Sequence, residues 1–379
     1  MRDISNAVFD VTRNIPFTIR QNEVANSTSP NLSWAKPFTQ TGAPTFILAN
    51  QFNEPDSYVG QWSFGIQREM TSDSSLEVSY LGSAGVHLRR LQVYNSAPPG
   101  PGSTNSRRPF TYLNGNIQTM TAPVHSSYDA LHVRFQHRFS RGFTWLSSYA
   151  WGKSIDNGSG VRTTDGDSLT PSNNYNLRAE RGLSAFDFRH RWTNSFLYEL
   201  PFGKGKRWAG GANRVADAII GGWQFGGILT FQSGFPNSIG CGPGNWQNND
   251  TTCYGDATGI NPDLPGDRRG PSDWFNLAAF VNRLGIANNR AQDVTVYRYG
   301  NAGRNVLIGP PLADIDASLT KNWTLREGYR LELRSEFFNL PNHPIFGQPG
   351  TSPGSSTYGV IGGTRVDSRE IQLGLKLGF

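Results

Sequence analysis

Few residues in this chain have the type and spacing that chemistry needs. Its six histidines, His87, His125, His132, His137, His190 and His343, are scattered. His132 and His137 sit at odd separation, so on a strand they face opposite ways and cannot share a metal. No His pair has the spacing of a zinc site. The run Gly203-Lys204-Gly205-Lys206-Arg207 is basic and glycine-rich. It lacks the Ser or Thr after Lys, and the upstream Gly, of a phosphate-cradling loop. Two readings fit it: contact with lipid phosphates, with Trp208 as an interfacial anchor, or a solvated turn. Asp165-Gly166-Asp167 and the stretch Asp263 to Asp267 offer oxygen ligands for calcium, but without EF-hand spacing. Serines are many, yet no Gly-x-Ser-x-Gly elbow presents one as a nucleophile. No catalytic, cofactor-binding or metal-binding residue is therefore expected, and no cofactor.

Binding chemistry is better represented. Stretches rich in Gly, Pro, Asn, Ser and Asp occupy 20–58, 84–128, 154–190, 236–311 and 341–368. Loops this long are rare in compact domains unless they are functional or disordered. Within 236–311, Trp246, Asn248, Tyr254 and Trp274 offer rings that can stack on a sugar and polar groups that can hold a peptide. They are the candidate ligand-contacting residues. Cys241 and Cys253 flank part of the same loop. In an exported protein they would form a local disulfide; two free thiols are the alternative.

The segments between these loops alternate strictly. At the C-terminus Ile371, Leu373, Leu375, Leu377 and Phe379 share one face, and Gln372, Gly374, Lys376 and Gly378 the other. Period two means a strand with one apolar and one polar side. About ten residues also suffice for a tilted strand to cross a bilayer. The same pattern places Trp62, Phe64 and Ile66 on one face, then Leu76, Val78 and Tyr80, then Leu131, Val133 and Phe135. It continues through Trp145 and Tyr149, Trp192 and Phe196, Phe225 and Leu229, Ile315 and Leu319, and Leu331 and Leu333. With a further strand near 8–19, about ten long strands are predicted. Arg134, Arg138, Glu199, Asp314, Asp316, Glu332, Arg334 and Glu336 fall on the polar side. Facing lipid, each would cost a few kcal/mol near the midplane; facing water or a plug, they can pair.

Connections alternate short and long. Those near 70–74, 140–142 and 326–328 are tight, and the long loops named above lie between them. With Phe379 on the periplasmic side every short turn is periplasmic and every long loop external, as in transmembrane barrels. Segment 201–221 is the exception, a longer connection on the turn side. Phe143, Trp145, Tyr198, Trp223, Trp323, Tyr329 and Phe379 form one aromatic girdle, and Tyr58, Trp62, Tyr149, Trp151 and Trp192 the other. The expected fold class is all-β, an antiparallel transmembrane β-barrel, partial, with short periplasmic turns and long extracellular loops.

Composition agrees. Forty-three Gly and 23 Pro argue against long helices. No stretch of about eighteen apolar residues exists, which excludes a helical membrane protein but not a barrel. Ten Trp, 13 Tyr and 23 Phe are many for a chain that is 36% hydrophobic. The net charge of +6 comes with no basic block interleaved with aromatics, so no nucleic-acid partner is expected. The first residues contain no apolar core of a signal peptide.

Several segments together resemble the barrel of TonB-dependent receptors of the Oar-like type. They are Arg181-Gly182-Leu183-Ser184-Ala185-Phe186-Asp187-Phe188-Arg189-His190-Arg191, Tyr198-Glu199-Leu200-Pro201-Phe202-Gly203-Lys204-Gly205-Lys206-Arg207-Trp208, Gly222-Trp223-Gln224-Phe225-Gly226-Gly227-Ile228, Gly300-Asn301-Ala302-Gly303-Arg304-Asn305, and Glu336-Phe337-Phe338-Asn339-Leu340-Pro341-Asn342-His343-Pro344, followed by the terminal strand. The resemblance implies a larger barrel with a plug inside it. It implies ligand capture by external loops and import driven by the TonB complex. Since no plug, TonB box or signal peptide is found, residues 1–379 are expected to be the C-terminal portion of such a receptor. The polar strand residues would then face a plug. Ile371, Leu373, Leu375, Leu377 and Phe379 would be the signal read by barrel-assembly machinery. The expected partners are outer-membrane lipid, the TonB complex through a plug on another part of the protein, and a small-molecule, saccharide or peptide ligand. The expected location is the cell outer membrane. Rival readings are a structural or adhesive outer-membrane anchor, a secreted glycan-binding β-sandwich, and an outer-membrane hydrolase.

Overall fold

The computed structural model describes residues 46–113, 115–160, 170–241, 252–281, 298–326 and 328–379. Nine long strands form one antiparallel meander, each paired with the next along the chain. They are β2 (Tyr58–Thr71), β3 (Ser74–Tyr94), β4 (Asn116–Ser140), β5 (Phe143–Asp156), β7 (His190–Glu199), β8 (Trp223–Gln232), β13 (Leu312–Arg326), β14 (Tyr329–Phe338) and β15 (Glu370–Gly378). β1 (Phe46–Asn50) adds to the outer end of β4 in parallel, and β6 (Gly182–Leu183) extends the edge of β5. The short strands β9 (Pro236–Asn237), β10 (Asp256–Ala257), β11 (Phe280–Val281) and β12 (Leu307–Ile308) pair among the loops. Among the described residues the wall is open, and β2 and β15 are its edges. The expected strand near 8–19 lies outside the described residues.

The register explains the alternation. Directly opposed residues share a face. One transverse row on the apolar side runs Val78, Val133, Tyr149, Trp192, Phe231, Ala313. Trp192 stacks on Phe231 with ring centroids 5.6 Å apart. The next face holds Glu77, Arg134, Ser148, Thr193, Thr230 and Asp314 in one row. The apolar side is left uncovered: Leu373 is 71% exposed and Leu375 69%. Such a sheet buries its apolar side only when lipid is the solvent. Arg141 and Gly142, both at positive φ, make the two-residue β4–β5 turn, the hairpin geometry that matches strand twist.

Two features differ from the sequence-based expectation. Segment 84–128 is not all loop, because β3 runs on to Tyr94 and β4 starts at Asn116. Register shifts between Gly85, Leu88 and Arg90 break the period there, and a bulge hides a strand from a period-two reading. Segment 201–221 contains the helix α1 (Arg214–Ile220), capped by Asn213 Oδ1, which accepts from the Ala216 N–H at 2.9 Å.

Among the described residues the main buried hydrophobic cluster lies in the long loops. Ile239, Tyr254, Trp274, Phe275, Phe280, Leu307, Tyr358 and Ile361 pack together, with Phe346 against them. These residues come from 236–311 and 341–368. The two loops thus fold together at the outer end of the wall, and with loop 154–190 and the outer ends of β3 and β4, joined to them through Glu180, they form one cap.

Candidate functional site

The inner face of the wall carries the predicted polar residues. Arg334 lies between two neighbours on its strand, 3.1 Å from Glu332 and 3.7 Å from Glu336. Glu199 accepts from Lys206 Nζ at 3.2 Å and from Gln224 Nε2 at 3.3 Å. The register puts Glu199, Gln224, Thr320 and Arg334 in one row. Arg134 is opposite Glu77, and its Nη2 lies 3.5 Å from Gln136 Oε1. Arg138 is exposed at the turn end, where its backbone N–H donates to Asp73 O at 2.8 Å. Asp316 Oδ1 accepts the Asn339 N–H at 3.0 Å. Asp314 Oδ1 is buried with no hydrogen-bond partner among the described residues. The eight residues thus lie along one polar side without forming one cluster. Ile371, Leu373, Leu375, Leu377 and Phe379 lie on the opposite, uncovered side.

The cap holds the densest chemistry, and sequence reasoning missed it. Arg90, Asp156, Glu180 and Arg304 are all buried. Arg304 donates to Asp156 Oδ1, to the Asp156 carbonyl at 2.8 Å, to the Glu180 carbonyl at 2.8 Å and to Ser159 Oγ at 3.1 Å. Glu180 accepts from Ser172 N–H at 2.7 Å and from the Tyr254 hydroxyl at 3.0 Å, with Arg90 Nη2 4.0 Å away. Burial pushes the Glu180 carboxyl above the usual carboxylate range, while Arg90 beside it pulls it back. A buried ion cluster stands only when its charges are matched and hydrogen-bonded. Here it ties the β3–β4 ribbon, loop 154–190 and loop 236–311 together. Its only sequence signal is that Arg304 lies inside, and Glu180 beside, segments that carry the family resemblance.

Tyr254 and Trp274 do not present free rings to a ligand. Both are buried in the cap core; Tyr254 donates to Glu180, and Trp274 Nε1 donates to the Ile308 carbonyl at 2.9 Å. Their size serves packing, the commonest use of buried aromatics. Trp246 and Asn248 lie outside the described residues, as do Asp165 and Asp167. Asp263 pairs with Arg269 Nη2 at 3.1 Å. Cys241 and Cys253 are joined as a disulfide, with Cα atoms 5.4 Å apart.

A concave pocket of about 240 Å³ opens where the β3–β4 ribbon meets loop 154–190. Val93, Tyr94, Asn95, Phe110, Asn174 and Tyr175 line it. Tyr94, Phe110 and Tyr175 are exposed. Asn174 Oδ1 accepts the Val93 N–H at 2.7 Å, while its Nδ2 is buried without an acceptor among the described residues. The Tyr175 hydroxyl donates to the Ser96 carbonyl at 2.7 Å. Exposed rings around a concave surface suit a flat or cyclic ligand.

The chain is similar to the outer membrane transporter YddB from Escherichia coli, at 10% identity and TM-score 0.47, over 90% of this chain and 35% of that one. It is also similar to the FrpB iron transporter from Neisseria meningitidis, at 11% identity and TM-score 0.39, over 87% of this chain and 32% of that one. The chain therefore spans about a third of the length of these structures. A search of curated proteins found no match. The model of the outer membrane beta barrel domain matches residues 2–372. A long-stranded wall, apolar on its outside and polar on its inside, is what that family builds, and this chain belongs to it as a protein of the outer membrane.

Proposed function

We propose that this chain is the C-terminal part of an Oar-like, TonB-dependent receptor barrel. In this reading the external cap captures a ligand, and the wall guides it past a plug whose motion TonB drives. The observation that carries the reading is the pairing of a polar inner wall with a folded outer cap that contains an aromatic pocket. An anchor alone needs neither. Among the described residues β2 and β15 each keep one unpaired edge, an aggregation hazard unless further strands, of this chain or of another part of the protein, complete the wall. Arg134, Arg138, Glu199, Asp314, Asp316, Glu332, Arg334 and Glu336 then face the plug. No bond of the ligand is made or broken. Ile371 to Phe379 would present the assembly signal.

Uptake tests this. Cells expressing the receptor in its natural gene context would be offered labelled oligosaccharides, peptides and iron chelates. Accumulation of one class that stops when TonB is removed, and weakens in Phe110→Ala and Tyr175→Ala, is the expected result. Binding at the surface with no TonB-dependent accumulation of any class would replace the receptor reading with that of an adhesive anchor.

A further inference from the structure

The connection 201–221 is folded against the lipid side of the wall, and its outward surface is apolar and cationic. The last carbonyls of a helix have no partner within it. In α1 they are met by donors from the apolar side of β8 and β13. Trp323 Nε1 donates to the Ala218 carbonyl at 2.7 Å, and Trp223 Nε1 to the Ile219 carbonyl at 2.9 Å. Lys321, buried between the Trp223 and Trp323 rings at 4.9 and 5.0 Å from their centroids, donates to the Gly221 carbonyl. Indole N–H groups at a barrel rim ordinarily face the lipid headgroup layer. Here α1 takes the place of that layer.

Gly203 permits the close approach. At φ 116°, a Cβ there would stand 2.6 Å from Asp217 Oδ1 and 2.8 Å from Gly221 Cα. Asp217 Oδ1 in turn accepts the Lys204 N–H at 2.6 Å, which clamps the basic run to the helix. The outward surface is then Val215, 72% exposed, and Ile219, 66% exposed, one turn apart on one side. Trp208, on the same connection, is half exposed, with Phe202 5.0 Å from it between ring centroids. Lys204, Arg207 and Arg214 belong to the same connection, whose one carboxylate is Asp217; its other cation, Lys206, is taken up by Glu199 at 3.2 Å.

We propose that 201–221 is an interfacial membrane-docking element. Val215, Ile219 and Trp208 enter the headgroup–acyl boundary of the periplasmic leaflet, and Lys204, Arg207 and Arg214 lie against lipid phosphates. Two observations select lipid as the occupant. The surface adjoins the lipid-facing band of the wall, since α1 rests on Trp223 and Trp323 of that band. Its charge is opposite to that of phosphate, and an apolar stripe beside Lys and Arg is the pattern of helices that lie in a membrane interface. The inference rests on the outer-membrane placement and is independent of transport.

The test is a spin label at Ile219→Cys in the full chain reconstituted in phosphatidylethanolamine–phosphatidylglycerol bilayers, with the native disulfide left oxidised. Leu375→Cys serves as the lipid-facing reference and Asp267→Cys as the aqueous one. Residue 219 should collide with dissolved oxygen several-fold more, relative to an aqueous nickel complex, than residue 267 does. A ratio matching residue 267 overturns the proposal. Quenching by brominated lipids provides a second readout: Trp208→Phe should reduce the quenched tryptophan signal, and an unchanged signal equally overturns the proposal.

Discussion

The wall and the cap satisfy the same physical demand in opposite ways. The wall leaves Leu373, Leu375 and Phe379 uncovered on its outer side, while it turns Glu332, Arg334 and Glu336 inward. The cap buries Phe275, Ile239 and Leu307 inside itself, and it also buries four charges. The wall depends on an apolar solvent, so its stability follows lipid contact. The cap is stabilised like a small water-facing domain, by packing, a disulfide and matched charges. A chain can therefore contain two kinds of core, and an exposed leucine carries opposite meanings in the two regions.

Substitutions can break or sharpen that contrast. The largest expected effect is Arg304→Ala, which strands the buried Asp156 carboxylate and should destabilise the cap by about 3–5 kcal/mol. Hydrogen exchange on the reconstituted protein should show loops 154–190 and 236–311 loosening while β13 and β14 stay protected. Equal loss in both regions would mean that wall and cap are one cooperative unit. Replacing Cys241 and Cys253 by Ser should cost the cap about 3 kcal/mol, since the bridge closes a short loop; limited proteolysis near residue 253 reads this out. Leu375→Arg should cost the wall about 2 kcal/mol, the lower end for a cation among acyl chains. Lys376→Ala, on the inner face, should be close to neutral in the same denaturant titration in vesicles. If the two were equal, the assignment of faces would be wrong.

The smallest effect is one of shape. Because burial raises the native pKa of Glu180, with Arg90 opposing, folding favours its protonated form. That contribution is complete below the pH at which a free glutamate titrates. It is lost as pH climbs through the raised native value. The cap of the parent protein should therefore loosen with rising pH across that window, whereas Glu180→Gln should be flat there.

The wall was largely legible because its cause is local. A strand in a membrane must alternate at every step, so Ile371 to Phe379 state their own faces. Where bulges at Leu88 and Arg90 interrupt the step, the reading lost the end of β3 up to Tyr94 and the start of β4 from Asn116. The cap was not legible, because aperiodic loops carry no face. Tyr254 and Trp274 looked like free rings since nothing nearby in the chain shows that Glu180 and Ile308 will meet them. Arg304 and Asp156 are 148 residues apart, and neither sits in a pattern that names the other.

What the amino-acid order determined by itself was which side of each long strand meets lipid, where the tight turns fall, and hence the outer-membrane barrel class. These follow from backbone geometry, which imposes a period of two whatever the rest of the chain does. Tertiary structure alone decided which loops fold together into the cap, that two expected ligand rings became its core, and that a periplasmic helix lies on the lipid side of the wall. Those outcomes depend on contacts between distant segments, where burial energy and charge matching act only after the wall has brought the loops to one end.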